Sequence, residues 1–243
     1  MKKIKTIRGK ANKIRKNLVI EYEKLGWTSC RNEIPKKLIL DFNNRLNKLS
    51  IKKGYKDIDD LTISLDKENK PELKKFFDNL PKQKEFKLIS THLKKKIKTF
   101  KQKIKLKMIA SYVNPAMPKD TRLTYDFHQE SNYLNKKYKK NKIDILTAHF
   151  PLVRGVDKKN GSMSVLSESH LEGNYSSINI KGKKNGFKSY IPTNINIIKK
   201  KYKEVLFKLE TGDVLYFTKN LIHKSNINNS KTCRFVGIIR FTR

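Results

Sequence analysis

Acid, cysteine and long apolar runs are all scarce in this sequence. Its 243 residues include 22 Asp and Glu against 57 Lys and Arg, a formal net charge of +35. Cysteine occurs only at Cys30 and Cys233, too few for a disulfide scaffold or a thiolate zinc cage. No run of 18 apolar residues exists, so no segment reads as a membrane span. The basic stretch Met1 to Arg8 is followed nearby only by the short apolar run Leu18 to Ile20, which excludes a secretion signal. A reducing cytoplasm is the expected location.

What is present argues for a folded domain. The 37% hydrophobic and 9% aromatic content is too high for a disordered chain, and the length suits one or two domains. The positive charge is spread out: residues 1–107 carry net +20 and residues 108–243 net +15. Only nine of the basic residues are arginine, the residue that nucleic-acid readers favour for bidentate contacts. Solvated lysine is the expected reading, and specific nucleic-acid binding is not expected.

Residues 1–107 read as a helical N-terminal region. Ile34, Leu38, Phe42, Leu46 and Leu49 recur at spacings of three and four. Leu73, Phe76, Phe77 and Leu80 continue the pattern until Pro81 stops it. Residues 84–107 alternate Leu and Ile with lysine, including Lys94 to Lys96, as a basic solvated helix face does. The character changes after Pro115 and Pro118. Short β-rich runs follow at 122–128, 143–153, 162–166, 205–209, 214–218 and 233–242. Turn signals stand at Asn160–Gly161 and at Gly212–Asp213. The expectation is a mainly β core over 108–243, an antiparallel sandwich or barrel, with the polar stretch 174–198, including Gly182 and Gly186, as a long inserted loop.

Chemistry concentrates in that half. His128 and Glu130 lie two apart at the end of an expected strand, so they share a face. His223 follows the strand at 214–218. Two histidines and a carboxylate, two of them adjacent and the third remote, make the facial triad of non-haem Fe(II) oxygenases. Arg234 lies eleven residues after His223 on a strand, where a guanidinium can grip a carboxylate, and Ser225 lies two residues after His223. Thr147 and His149 share a strand face that touches cosubstrate or substrate if it points inward, and packs in the core otherwise. Arg240 shares the Arg234 face, but six residues span roughly 20 Å. The two cannot serve one carboxylate, and Arg240 is expected to matter little. His92 reads as a surface residue and His170 as a loop hydrogen-bonder.

At these residues the sequence resembles the phytanoyl-CoA dioxygenase family of Fe(II)/2-oxoglutarate oxygenases. The matching stretches are Phe127 to Glu130, Pro151–Leu152 with Asn160–Gly161, Ser169–His170, Gly212–Asp213, His223 to Ser225, and Arg234. The resemblance covers residues 108–243, more loosely the helical part. It implies a double-stranded β-helix, the cupin-like jelly roll, buttressed by the N-terminal helices. It implies Fe(II) on His128, Glu130 and His223, with Arg234 and Ser225 on the distal carboxylate of 2-oxoglutarate. It implies a dioxygenase that hydroxylates a small substrate, converting 2-oxoglutarate to succinate and CO2. The basic composition points to an anionic substrate class. Two positions depart from the family: Glu130 stands where Asp is usual, and Ser167–Glu168 replaces Pro-Gly before Ser169–His170. The alternative reading is a basic binding protein on the same barrel, contacting nucleic acid or anionic glycan without turnover. It gains if Glu130 cannot reach iron.

Overall fold

The computed structural model describes residues 5–8, 10–11, 15–100, 106–122, 124–138, 144–181 and 188–242. Two short strands, β1 (Lys5–Arg8) and β2 (Lys10–Ala11), precede helix α1 (Arg15–Leu25) and strand β3 (Trp27–Arg31). Helices α2 (Lys36–Lys52), α3 (Ile58–Glu68), α4 (Lys70–Asn79) and α5 (Lys84–Phe100) follow. On α2, Ile39, Phe42 and Leu46 are buried, the face set by three- and four-residue spacing. Asp57 caps α3 by accepting from the Asp60 amide at 2.9 Å, and Asn69 caps α4 by accepting from that of Glu72 at 3.1 Å. Pro81 falls in a 3-10 turn, Leu80–Lys82, that separates α4 from α5.

The rest of the chain is mostly β: β4 (Lys107–Ala116), then α6 (Ser131–Tyr138), β5 (Ile145–Pro151) and β6 (Met163–Leu166). Next come β7 (Ser177–Lys181), β8 (Lys188–Pro192), α7 (Ile195–Lys201) and β9 (Glu204–Lys208). The strands β10 (Val214–Thr218), β11 (His223–Ser225) and β12 (Arg234–Thr242) complete the fold. Three expectations are corrected. The helical reading of the first hundred residues missed β3, which is buried along most of its length and so shows no alternation to read. Among the described residues of 122–128 none lies in a strand; His128 forms an isolated bridge with His223, and the Tyr125 carbonyl accepts from the Ser225 amide at 2.9 Å. The stretch 174–198 is not a loop but holds a β7–β8 hairpin and most of α7. Gly182 and Gly186 lie outside the described residues.

Six strands make a main sheet in the order β2-β3-β10-β5-β12-β4, and four make a second sheet in the order β1-β9-β6-β11. The result is the expected double-stranded β-helix. Period-two alternation sorts the main sheet's side chains. Val214, Tyr216, Ala148, Phe150, Phe235 and Ile239 face the helices, where Phe86 meets Phe150 and Phe77 stacks on Phe235, both at 6.2 Å between ring centres. Leu215, Phe217 and Val236 face the other way and pack with Val165 of β6 and Phe207 of β9. Gly237 pairs with Phe150 across strands, and a Cβ there would lie 2.3 Å from the Phe150 ring. Only a glycine lets that ring cross the strand. Among the described residues no helix is long and apolar enough to cross a membrane.

Candidate metal site and adjoining cavity

The inner face of the main sheet changes from apolar to polar along β5 and β12. Thr147, His149, Arg234 and Arg240 lie there and line a cavity of about 660 Å³. His128, Glu130, His223 and Ser225 line the same cavity. All the residues singled out from the sequence for chemistry are therefore in one place.

Backbone pairing brings the two histidines together. His128 and His223 exchange amide–carbonyl hydrogen bonds of 2.9 and 3.0 Å, and their ring centres lie 4.2 Å apart. Each ring is oriented by its own chain. His128 Nδ1 bonds the Asp126 carbonyl at 2.6 Å, and His223 Nδ1 bonds the Leu221 carbonyl at 2.9 Å. Both Nδ1 atoms are thus donors, which leaves each Nε2 with a lone pair directed into the site. Burial first, and then the neighbouring His223, push the His128 pKa down to about 3, so its ring is neutral.

Glu130 arrives by another route than a strand face. It stands immediately before α6, with its carbonyl accepting from the amides of Tyr133 and Leu134. Its Oε1 lies 3.5 Å from His223 Nε2, and one ligand atom from each of His128, Glu130 and His223 lies within 4.8 Å of the others. Glu130 therefore does reach the two histidines. Burial pushes its carboxyl up, but the Arg240 guanidinium, followed by His223, outweighs this and holds it well below the usual range.

Arg240 corrects an expectation. Its Nη2 donates to Glu130 Oε2 at 2.6 Å, so it belongs to this site. Distance along β12 does separate it from Arg234, but it says nothing about which carboxylate comes across the barrel. Gln129 was also missed. Fully buried, it donates to the Gly173 and Asn220 carbonyls and accepts from the Tyr175 amide at 2.8 Å, tying the 128–130 segment to the start of the insert. Tyr112, Tyr125 and Tyr133 wall the cavity, and the Tyr133 hydroxyl accepts from the Tyr190 amide of β8 at 3.2 Å. Tyr112 escaped notice because β4 did.

The far end of the cavity holds unsatisfied groups. Arg234 is 4% exposed and has no hydrogen-bonding or acidic partner among the described residues; burial pulls its pKa down to about 10. His149 Nδ1 is also buried without a partner, as is Thr147 Oγ1, which faces Arg240 nearer the triad. An orphaned buried cation with an orphaned imidazole nitrogen near it suits a bound anion. At the opening, exposed Lys70, Lys74 and Asp78 join Asp66, Asp120 and Arg122. Arg122 is paired with Asp66 at 2.6 Å and with Asp120 at 2.8 Å, and Lys74 with Asp78. The opening is close to charge-balanced.

His170 is a loop hydrogen-bonder, bonding the Glu23 carbonyl at 3.0 Å, and the preceding Ser169 accepts from the Ile222 amide at 2.9 Å, fixing the approach to His223. His92 is half-buried rather than superficial, with Nε2 2.8 Å from the Glu33 carbonyl. Glu168 has φ +72, a left-handed conformation that explains why glycine suits this position.

The model of the phytanoyl-CoA dioxygenase family matches residues 26–236. The chain belongs to that family. Members are non-haem iron enzymes dependent on 2-oxoglutarate, and the two imidazole nitrogens and one carboxylate, with the orphaned Arg234, suit both groups. No curated protein is a significant sequence match. Solved structures share the fold. EvdO2 from Micromonospora carbonacea var. aurantiaca, complexed with 2-oxoglutarate, is 12% identical with a TM-score of 0.67, over 96% of this chain and 93% of that one. The epimerase SnoN from nogalamycin biosynthesis, solved with Fe3+, alpha-ketoglutarate and nogalamycin RO, is 12% identical with a TM-score of 0.55, over 93% and 82%. The carbocyclase SnoK is 17% identical with a TM-score of 0.58, over 95% and 84%.

Proposed function

We propose that the protein hydroxylates a small molecule, using Fe(II) held by His128, Glu130 and His223 and 2-oxoglutarate anchored by Arg234, Ser225 and Thr147. The observation that carries this reading is the buried, unpartnered Arg234 in the same cavity as the converging triad. When bound, the iron supplies oxygen activation coupled to decarboxylation of 2-oxoglutarate to succinate. The chain does the rest. His128 and His223 turn their Nε2 atoms inward because each Nδ1 donates to a main-chain carbonyl. Glu130 supplies one negative charge. Arg234 gives a planar donor pair to the distal carboxylate with the Ser225 hydroxyl beside it, and Thr147, opposite Arg240, offers a hydroxyl nearer the triad. The β-helix walls exclude water from the reacting end.

The cavity is large enough for the cosubstrate and a drug-sized molecule together. Its three tyrosines favour a substrate with a flat or ring-shaped face. The balanced charges at the opening give no support to an anionic substrate, so anion recognition is assigned to the cosubstrate end. EvdO2 and the nogalamycin enzymes share the fold at low identity, and their substrates are not carried over. Convergence of Glu130 with both histidines favours turnover over the alternative of a binding protein on the same barrel. Substrate-stimulated succinate release over a panel of small ring compounds tests the reading. Succinate matched by one hydroxylated product is expected. A panel member that stimulates succinate release but is recovered with no added oxygen would contradict hydroxylation.

A further inference from the structure

We propose that Arg240 is a positioning residue for Glu130, making a glutamate workable where the family usually has aspartate; this rests on Glu130 being an iron ligand. Arg240 stands on β12 opposite Thr147 of β5 and Ala110 of β4. Its guanidinium lies over the Tyr112 ring, 5.1 Å from Cζ to the ring centre. From there Nη2 reaches Glu130 Oε2 at 2.6 Å, and both side chains are nearly buried, at 12% and 10% exposure. The other oxygen, Oε1, is the one near His223 Nε2, at 3.5 Å. The carboxylate is therefore divided: one oxygen is fixed by the guanidinium, and the other joins the imidazoles.

That division answers a problem set by the extra methylene. A glutamate carboxylate has one more rotatable bond than an aspartate's. It can turn to give both oxygens to one metal, or swing away. Two-oxygen binding would take a position that a chelating 2-oxo acid needs, and a facial triad is useful only while the opposite face stays open. A buried charge-assisted hydrogen bond opposes that rotation. The guanidinium also places a positive charge where a dianion must enter. Metal affinity alone is a poor readout, because losing the hydrogen bond weakens it while losing the cation strengthens it. Chelation of a 2-oxo acid senses both effects in the same direction.

The experiment is an anaerobic titration of the Fe(II)-loaded protein, following the visible charge-transfer band. The probes are 2-oxoglutarate and pyruvate, which has the chelating end without the distal carboxylate. Arg240→Gln should raise half-saturation for both acids by about ten- to a hundredfold. Arg240→Lys should recover part of the loss. Glu130→Asp introduced into Arg240→Gln should recover most of it, since the shorter side chain needs no clamp. Arg234→Gln, by contrast, should weaken 2-oxoglutarate and leave pyruvate unchanged. Arg240→Gln titrating like the wild type, or the double variant titrating no better than Arg240→Gln, would overturn the proposal. A wild type with no band for either acid would overturn it together with the iron reading beneath it.

Discussion

Arg234 is a buried cation whose counter-ion is missing among the described residues, and its depressed pKa of about 10 comes from burial alone. Breaking a buried ion pair typically costs about 3–5 kcal/mol, so Arg234→Gln should raise the 2-oxoglutarate requirement by about a hundredfold or more. The same change should raise the melting temperature of the ligand-free protein, because an unpaired buried charge is removed. Unaltered 2-oxoglutarate affinity in the variant would contradict the assignment. The histidines set the acid behaviour. His128 and His149 are both pushed down to about 3, first by burial, then by His223 and Arg234 respectively. The unfolded chain takes up their protons near its ordinary value of about 6.5. The stability they contribute is full above that pH and is lost as pH falls from there toward about 3. Glu130, also held low, adds loss in the same direction below its ordinary 4.5. Denaturant melts at falling pH should lose roughly 1.4 kcal/mol per pH unit for each buried imidazole. His149→Leu should remove about one such share, and an unchanged slope would contradict a neutral buried His149. That the triad, Arg234, Ser225 and Thr147 would line one cavity was legible because residue type and two-residue parity carry over to three dimensions. The Arg240–Glu130 pair was not, since it joins residues 110 apart in the chain.

At the scale of elements, periodicity told the truth only where one face is wet. The α2 and α4 faces were readable because their buried residues recur at helical spacing. β3 is buried on both sides and β4 has a basic, half-exposed start, so neither alternates cleanly. The β7–β8 hairpin does alternate, but its Ile178 and Ile180 are exposed, and the surrounding polar residues hid them. His128 and Glu130 meet the metal site from a bridge and a helix start, not from one strand, so the right pair was found for partly the wrong reason. Glu168 shows how a sequence departure becomes a local cost. It carries φ +72 at the turn into Ser169–His170, where the family has glycine. Glu168→Gly should stabilise the fold by about 1 kcal/mol, the order of strain for a side chain in that region. A thermal or denaturant melt measures it, and a loss of stability would show that the Glu168 side chain contributes more than its strain costs.

For the whole molecule, the +35 charge is a property of the surface rather than of the site. The charged residues at the cavity opening are mostly paired, and of the two inner arginines Arg240 serves a carboxylate of the protein and Arg234 is proposed to serve one of the cosubstrate. Binding to duplex DNA should accordingly be weak, independent of sequence, and lost as salt rises. A sequence preference that survives physiological salt in a filter-binding assay would contradict this. The jelly roll itself was legible from short strands and turn glycines, Gly161 at φ +82 and Gly212 at φ +95 among them, because such turns punctuate an antiparallel sheet wherever its strands end. The central claim is that one iron binds at His128, Glu130 and His223 and accepts 2-oxoglutarate beside Arg234. The most direct measurement is the visible spectrum under nitrogen, with Fe(II) and 2-oxoglutarate added separately and together. The account predicts a weak charge-transfer band that needs both additions in the wild type, and is absent in His128→Ala together with the bound iron. A band of wild-type strength in His128→Ala, or none in the wild type, would contradict it.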